Sequence, residues 1–267
     1  MARLTQSSNQ PDLRILAIIG QLQRIFLVLV IAVAGIVLCA WLIPAVGLHL
    51  PARWSLMKAN TAILILLSAA SIILCHPRAS ANSILCSRLL GGVVALLSAA
   101  TLIQYIFGIS LGLDTLITAD ALDPIPGRMS VQSAVSLLML GIVLINLRAR
   151  KRMLSYLADA LTLFLALLML VYASGYFFGA MRLFGLSMQH RLSPQTLFCL
   201  TILTLIVFNR RTEYGVFSIL IDDGIGGKTA RLAAPFAVFL PFALATIRGL
   251  VTRSNMIPEQ YGVALAS

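Results

Sequence analysis

The stretch Ile221 to Pro235, IDDGIGGKTARLAAP, carries a GGKT whose chemistry would be phosphate binding. In a loop of the form G-x-x-x-x-G-K-[ST], backbone N–H groups wrap the phosphates, the lysine reaches them and the hydroxyl holds magnesium. With Gly227, Lys228 and Thr229 as the tail, the place of the first glycine holds Asp222, whose carboxylate would sit beside the phosphates. A second constellation recurs three times as apolar-x-x-amide-hydroxyl: Met57, Asn60, Thr61; Met129, Gln132, Ser133; Leu192, Gln195, Thr196. Three amides at one depth, with Gln104, Tyr105, Tyr172 and Tyr176 nearby, could line a polar pocket for a small molecule. Asn, Ser and Thr also cap the free N–H groups of a first helical turn, and they hydrogen-bond between helices. Both readings stand at this point.

Metal chemistry is the third candidate. His49, His190, Met57, Met129, Met181 and Met188 cluster near one side, and thioether and imidazole suit copper or haem iron. The repeat argues otherwise, because Leu192 fills the place of Met57 and Met129 in the third copy, so apolar character suffices. Cys39, Cys75, Cys86 and Cys199 have no C-x-x-C spacing and lie in or beside apolar runs, where thiols act as small hydrophobes. No cofactor or metal is expected.

The elements that must position these residues are membrane spans. Of 267 residues, 60% are hydrophobic and 11% charged, the mean hydropathy is +0.97, and a soluble chain carries about 25% charged residues. Charge-free runs cover 25–52, 59–77, 89–113, 129–147, 160–181, 192–209 and 232–247. A bilayer helix takes roughly 20 apolar residues, with about 17 tolerated. Six runs are long enough and the seventh is marginal. The first is too long for the apolar core of a cleaved signal peptide, and Leu38 before Cys39 does not suit a lipoprotein signal.

Lys and Arg between the runs set the orientation, since cytoplasmic loops carry the excess. With the N-terminus inside, thirteen of the 20 basic residues fall on inner segments, among them Arg24, Arg78, Arg88, the group Arg148 to Arg152, Arg210 and Arg211. The net charge of +11 then reflects anchoring to anionic headgroups and calls for no nucleic-acid partner, there being no soluble domain to carry a basic patch. Asp159 is expected to pair with Arg152 or a headgroup, and no mid-membrane acidic chain suggests a proton pump.

The amide-hydroxyl repeat opens each descending span, and the rising spans rhyme as WLIPAVG (41–47), YIFGISLG (105–112) and YFFGAMRLFG (176–185). An aromatic at the interface is followed by a helix-breaking Gly or Pro. The reading is an all-α, polytopic transmembrane bundle of two-helix hairpins. It comprises a cytoplasmic segment 1–24, hairpins at 25–75, 88–147 and 154–208, a cytoplasmic interfacial segment 209–231, and a seventh span with an outer segment, 232–267. Gly224, Gly226 and Gly227 read as a flexible turn at the inner face, with Lys228 and Arg231 holding it to headgroups.

ANTA (59–62), LG-L-D ending at Asp114, PGRM (126–129), GYFFG (175–179) and GG-x-x-AR (226–231) before a proline-bearing span resemble a known pattern. They are similar to the N-terminal multi-span sensory region of bacterial histidine kinases and diguanylate cyclases, over most of the chain from about Trp54. Gln132-Ser133 stands where that pattern favours Asn-Thr, and Leu197 where it has alanine. The resemblance implies an inner-membrane input module, an eighth span beyond Ser267, a cytoplasmic output domain and a homodimer. The sequence itself has no kinase or cyclase motif, so no catalysis is expected of it. A small transporter and a passive anchor are the alternatives; the three hairpins run in one orientation, whereas transporter repeats are often inverted.

Overall fold

In a computed structural model, the structure describes residues 13–51, 54–112, 127–149, 151–177 and 192–211, together with residue 229. Among the described residues every regular element is helical: α1 (Leu13–Leu42), α2 (Pro44–Gly47), a short 3-10 turn (Trp54–Leu56), α3 (Ala59–Leu74), α4 (Ala81–Phe107), α5 (Val131–Ile145), α6 (Arg152–Phe177) and α7 (Pro194–Arg211). The predicted turn glycines, the seventh span, and the outer residues His190, Met181 and Met188 lie outside the described residues.

The helices form two layers. The short helices α3, α5 and α7 pack on one another as an inner trio, and each long helix rests against two of them: α1 on α3 and α7, α4 on α3 and α5, α6 on α5 and α7. Three sequential hairpins thus close into a ring of pseudo-threefold character, long helix outside and short helix inside.

The inner stripes repeat residue for residue. Thr61, Ile65, Ser68 and Ile72 on α3 match Ser133, Leu137, Leu140 and Leu144 on α5 and Thr196, Leu200, Leu203 and Val207 on α7, all at most 3% exposed. The spacing of four, three and four residues keeps these side chains on one helical face. The conserved hydroxyl of each copy is therefore the first residue of the stripe that builds the core.

Outside, α1, α4 and α6 expose large apolar residues, among them Val28, Ile36, Leu89, Leu96, Phe164 and Leu167. The segments Gly20–Leu42, Ala81–Phe107 and Arg152–Phe177 are long and apolar enough to cross a membrane, while Ala59–Leu74 and Val131–Ile145 are shorter apolar helices. Exposed apolar surface on this scale is compatible with a membrane protein, since water-soluble monomers rarely show large contiguous apolar patches.

Helix ends follow local chemistry more than hydropathy. α1 runs through Arg24, and α4 starts at Ala81 and runs through Arg88, so both begin well before the charge-free runs. The Ser80 side chain caps α4 by accepting from the Ser83 amide at 3.2 Å. Gly108, at φ 63, ends it in the left-handed region that glycine enters without strain.

Among the described helices α4 and α5 approach closely. A Cβ on Gly141 would lie 2.6 Å from the Ala95 amide nitrogen, and one on Gly91 would lie 3.0 Å from the Leu144 Cβ. Small residues let the two backbones approach, and packing of this kind drives association where the solvent is as apolar as the side chains.

Candidate functional site

Two clusters of polar contacts lie at opposite ends of the hairpins. At the aromatic end, the long helices finish and the short ones begin. Trp41, one residue from the end of α1, donates its indole N–H to the Met57 carbonyl at 2.9 Å. Tyr105, near the end of α4, donates to the Met129 carbonyl at 3.0 Å. Tyr176, near the end of α6, donates to the Leu192 carbonyl. The three acceptors occupy equivalent positions of the repeat, so each hairpin is closed by the same latch. Buried Trp and Tyr need a partner for their polar tip, and a carbonyl just ahead of a helix is available to accept.

The amide-hydroxyl pairs sit directly below these latches. Ser133 and Thr196 give their backbone N–H groups to the side chains of Ser130 and Ser193, at 3.2 and 3.1 Å. The paired hydroxyls lie 2.8 Å apart in the Ser130 and Ser133 pair and 2.7 Å apart in the Ser193 and Thr196 pair. Capping is thus performed by the serine three residues earlier, and the hydroxyl of the repeat faces the core. In the first copy the capping place holds Lys58, whose side chain makes no cap bond. Its ammonium instead sits 5.8 Å from the Trp41 ring centroid, within range of a cation–π attraction.

The amides lie at the margin of the inner trio. Asn60 donates from Nδ2 to the Gly127 carbonyl at 3.4 Å, joining the first short helix to the segment just ahead of the second, α5. Gly127 holds φ 72, a conformation that favours glycine. Gln132 and Gln195 are partly buried in the equivalent positions, and Gln104 is fully buried on α4. Tyr105 carries the Arg128 guanidinium at 5.3 Å from its ring centroid. Of the predicted ligand-site residues, the structure brings Tyr105 and Tyr176 into latches and Thr61, Ser133 and Thr196 into the core stripes.

The second cluster lies at the arginine end. Arg211, with no exposed surface, lies 2.6 Å from the Asp159 carboxylate. It also donates to the Asn146 and Leu147 carbonyls at 3.4 and 3.3 Å, and to the Ser155 carbonyl and hydroxyl at 2.9 and 2.7 Å. The expected pairing of Asp159 with Arg152 is therefore corrected. Arg152 lies over the ring of Tyr156 at 5.7 Å from its centroid, while the guanidinium from the neighbouring α7 reaches Asp159.

Neighbouring Arg210 donates to the Cys75 carbonyl at 2.6 Å, and Arg148 to the Pro77 carbonyl at 3.0 Å. Both acceptors lie just past the end of α3, while those of Arg211 lie at the end of α5 and in the first turns of α6. One dipeptide at the end of α7 thereby holds the C-terminal ends of the other two inner helices, where orphan carbonyls and the negative end of the helix dipole favour a cation. Sequence spacing alone could not reveal this, because the partners are 52, 64, 65 and 135 residues apart.

On the same end Ser71 and Ser87 exchange hydroxyl-to-carbonyl bonds at 2.9 and 2.8 Å, pinning α3 to the start of α4. Among the described residues no group of His, Cys, Asp and Glu is placed to hold a metal ion. Comparison with family models, with curated proteins and with solved structures finds no match to this chain.

Proposed function

We propose that the chain is the membrane-embedded input module of a bacterial signal-transduction protein. It lies in the inner membrane with its N-terminus cytoplasmic, seven spans in the bundle and no catalytic step of its own. A small molecule at the outer face, or a change within the bilayer, biases the packing of the three hairpins. That bias passes to a cytoplasmic output module elsewhere in the signalling protein, and a homodimer of that protein is the natural unit.

The observation that carries this reading is the Arg210-Arg211 pair. The last described helix ends in two cations that contact the ends of α3 and α5 and the start of α6, so a shift in any hairpin bears on the end of α7. A packed polar interface of this kind, were it to have two discrete arrangements, would be the element that a two-state switch requires.

The test is output activity in membranes from cells carrying the whole signalling protein. Replacing Arg210 by Gln is expected to change basal output while the protein still elutes as one species in detergent. Substituting Asn60, Gln132 and Gln195 together by Leu is expected to abolish the response to stimulus; unchanged signalling and stability would remove the ligand-pocket part. Solute uptake by the chain in liposomes would point to a transporter instead. Full regulation after replacement by an unrelated multi-span anchor would reduce the region to a tether. Reporters fused after Arg152 and after Arg253 are expected to read inside and outside respectively.

A further inference from the structure

We infer that the arginine end carries a seat for one anionic phospholipid, in the groove that α4 and α6 leave open along α5; the inference rests on the membrane reading above. The headgroup part is a cleft of about 470 Å³ lined by Arg88 of α4, Asn146 and Arg148 at the end of α5, Lys151 ahead of α6, and the apolar Ile145, Ala149 and Leu154. Among the described residues its lining has three cations and no carboxylate. It also adjoins the start of α6, whose free amides and dipole favour negative charge.

The acyl part follows from the packing. α4 and α6 each rest on α5 rather than on each other, which leaves a strip of α5 uncovered. That strip is Val131, Val135, Leu138, Ile142 and Ile145, each partly or well exposed and spaced four, three, four and three residues apart. It is a single apolar line ending at the cationic cleft. A free phosphate would use only the cleft; an amphiphile with a phosphate head and a hydrocarbon tail uses both. On the orientation derived from the arginines, this end faces the cytoplasm, where anionic headgroups attract basic clusters.

The experiment uses the full chain purified in detergent, with retained lipid measured by native mass spectrometry and stability by thermal unfolding. Phosphatidylglycerol is expected to stay bound and raise the transition, and phosphatidylcholine to do neither. Replacing Arg88 and Lys151 together by Gln is expected to weaken phosphatidylglycerol retention on the order of tenfold or more. Arg24→Gln, on exposed α1 surface away from the cleft, serves as the control and should leave retention unchanged. Arg148 is kept, because it also ties down the Pro77 carbonyl. Equal retention of both lipids, or no effect of the double variant, would overturn the seat. Inorganic phosphate or glycerol 3-phosphate giving the full shift without lipid would overturn the lipid as occupant. Extraction of the chain from membranes by alkaline carbonate would overturn the membrane reading itself, whereas a carbonate-resistant chain without lipid preference fails only the seat.

Discussion

A carboxylate and a guanidinium removed from water in the same place must hold each other, or one of them becomes a large liability. Asp159 and Arg211 are 4% and 0% exposed, so replacing Asp159 by Leu is expected to cost about 3–5 kcal/mol, read as a lowered unfolding transition in detergent. Pairing Asp159→Leu with Arg211→Met should recover only part of that loss, because Arg211 also satisfies the carbonyls of Asn146, Leu147 and Ser155. Full recovery would show that those carbonyl bonds contribute little. The latches allow a milder test. Tyr105→Phe keeps the ring beneath Arg128 and removes only the hydroxyl that reaches the Met129 carbonyl, so a loss of about 1–3 kcal/mol is expected. The presence of Tyr105 and Tyr176 at this end was legible in the sequence. Their role was not, because the acceptor is a backbone carbonyl and every residue has one.

Helix contacts depend on what lies beneath each glycine, and α4 provides neighbouring cases. Gly91 faces the α5 backbone, whereas a Cβ on Gly92 would meet nothing within 4 Å. Gly92→Ala should therefore be neutral or stabilising by up to about 1 kcal/mol through helix propensity. Gly141→Ala, by contrast, already sets a Cβ 2.6 Å from the Ala95 amide nitrogen, so it must push α4 away and is expected to lower the unfolding transition. Equal effects at Gly92 and Gly141 would contradict the close approach of α4 and α5. The hairpin repeat itself was readable, since amide-hydroxyl pairs and aromatic-glycine stops recur at matching places. Helix starts were read less well: charge-free runs place them after Arg24 and Arg88, yet α1 and α4 take both arginines in. A helix continues while its i to i−4 bonds can form, and a long basic side chain at its end can reach a polar surface without breaking them.

At the scale of the molecule, the ring closes only when the last hairpin meets the first, through the packing of α7 on α1 and α3. Nothing in a hydropathy pattern states which helices touch, so this arrangement of short helices inside long ones could not be read from the runs. It does make a prediction about length. A chain ended after Arg211 with a short neutral tag retains α1 to α7, and it is expected to unfold in one cooperative step in detergent. Ending the chain after Val207 keeps most of α7 in the core but deletes the two arginines, and with them the tie to the Cys75 carbonyl and the ion pair to Asp159. That chain should be less stable by about 3–5 kcal/mol, the scale of breaking a buried pair. Ending after Ser193 removes α7 altogether and uncovers the inner faces of α3 and α5, so loss of the cooperative transition is expected. If the chain ended after Val207 were as stable as the one ended after Arg211, the arginines would not be holding the trio together. The coupling between the hairpins would then have to run through helix packing alone.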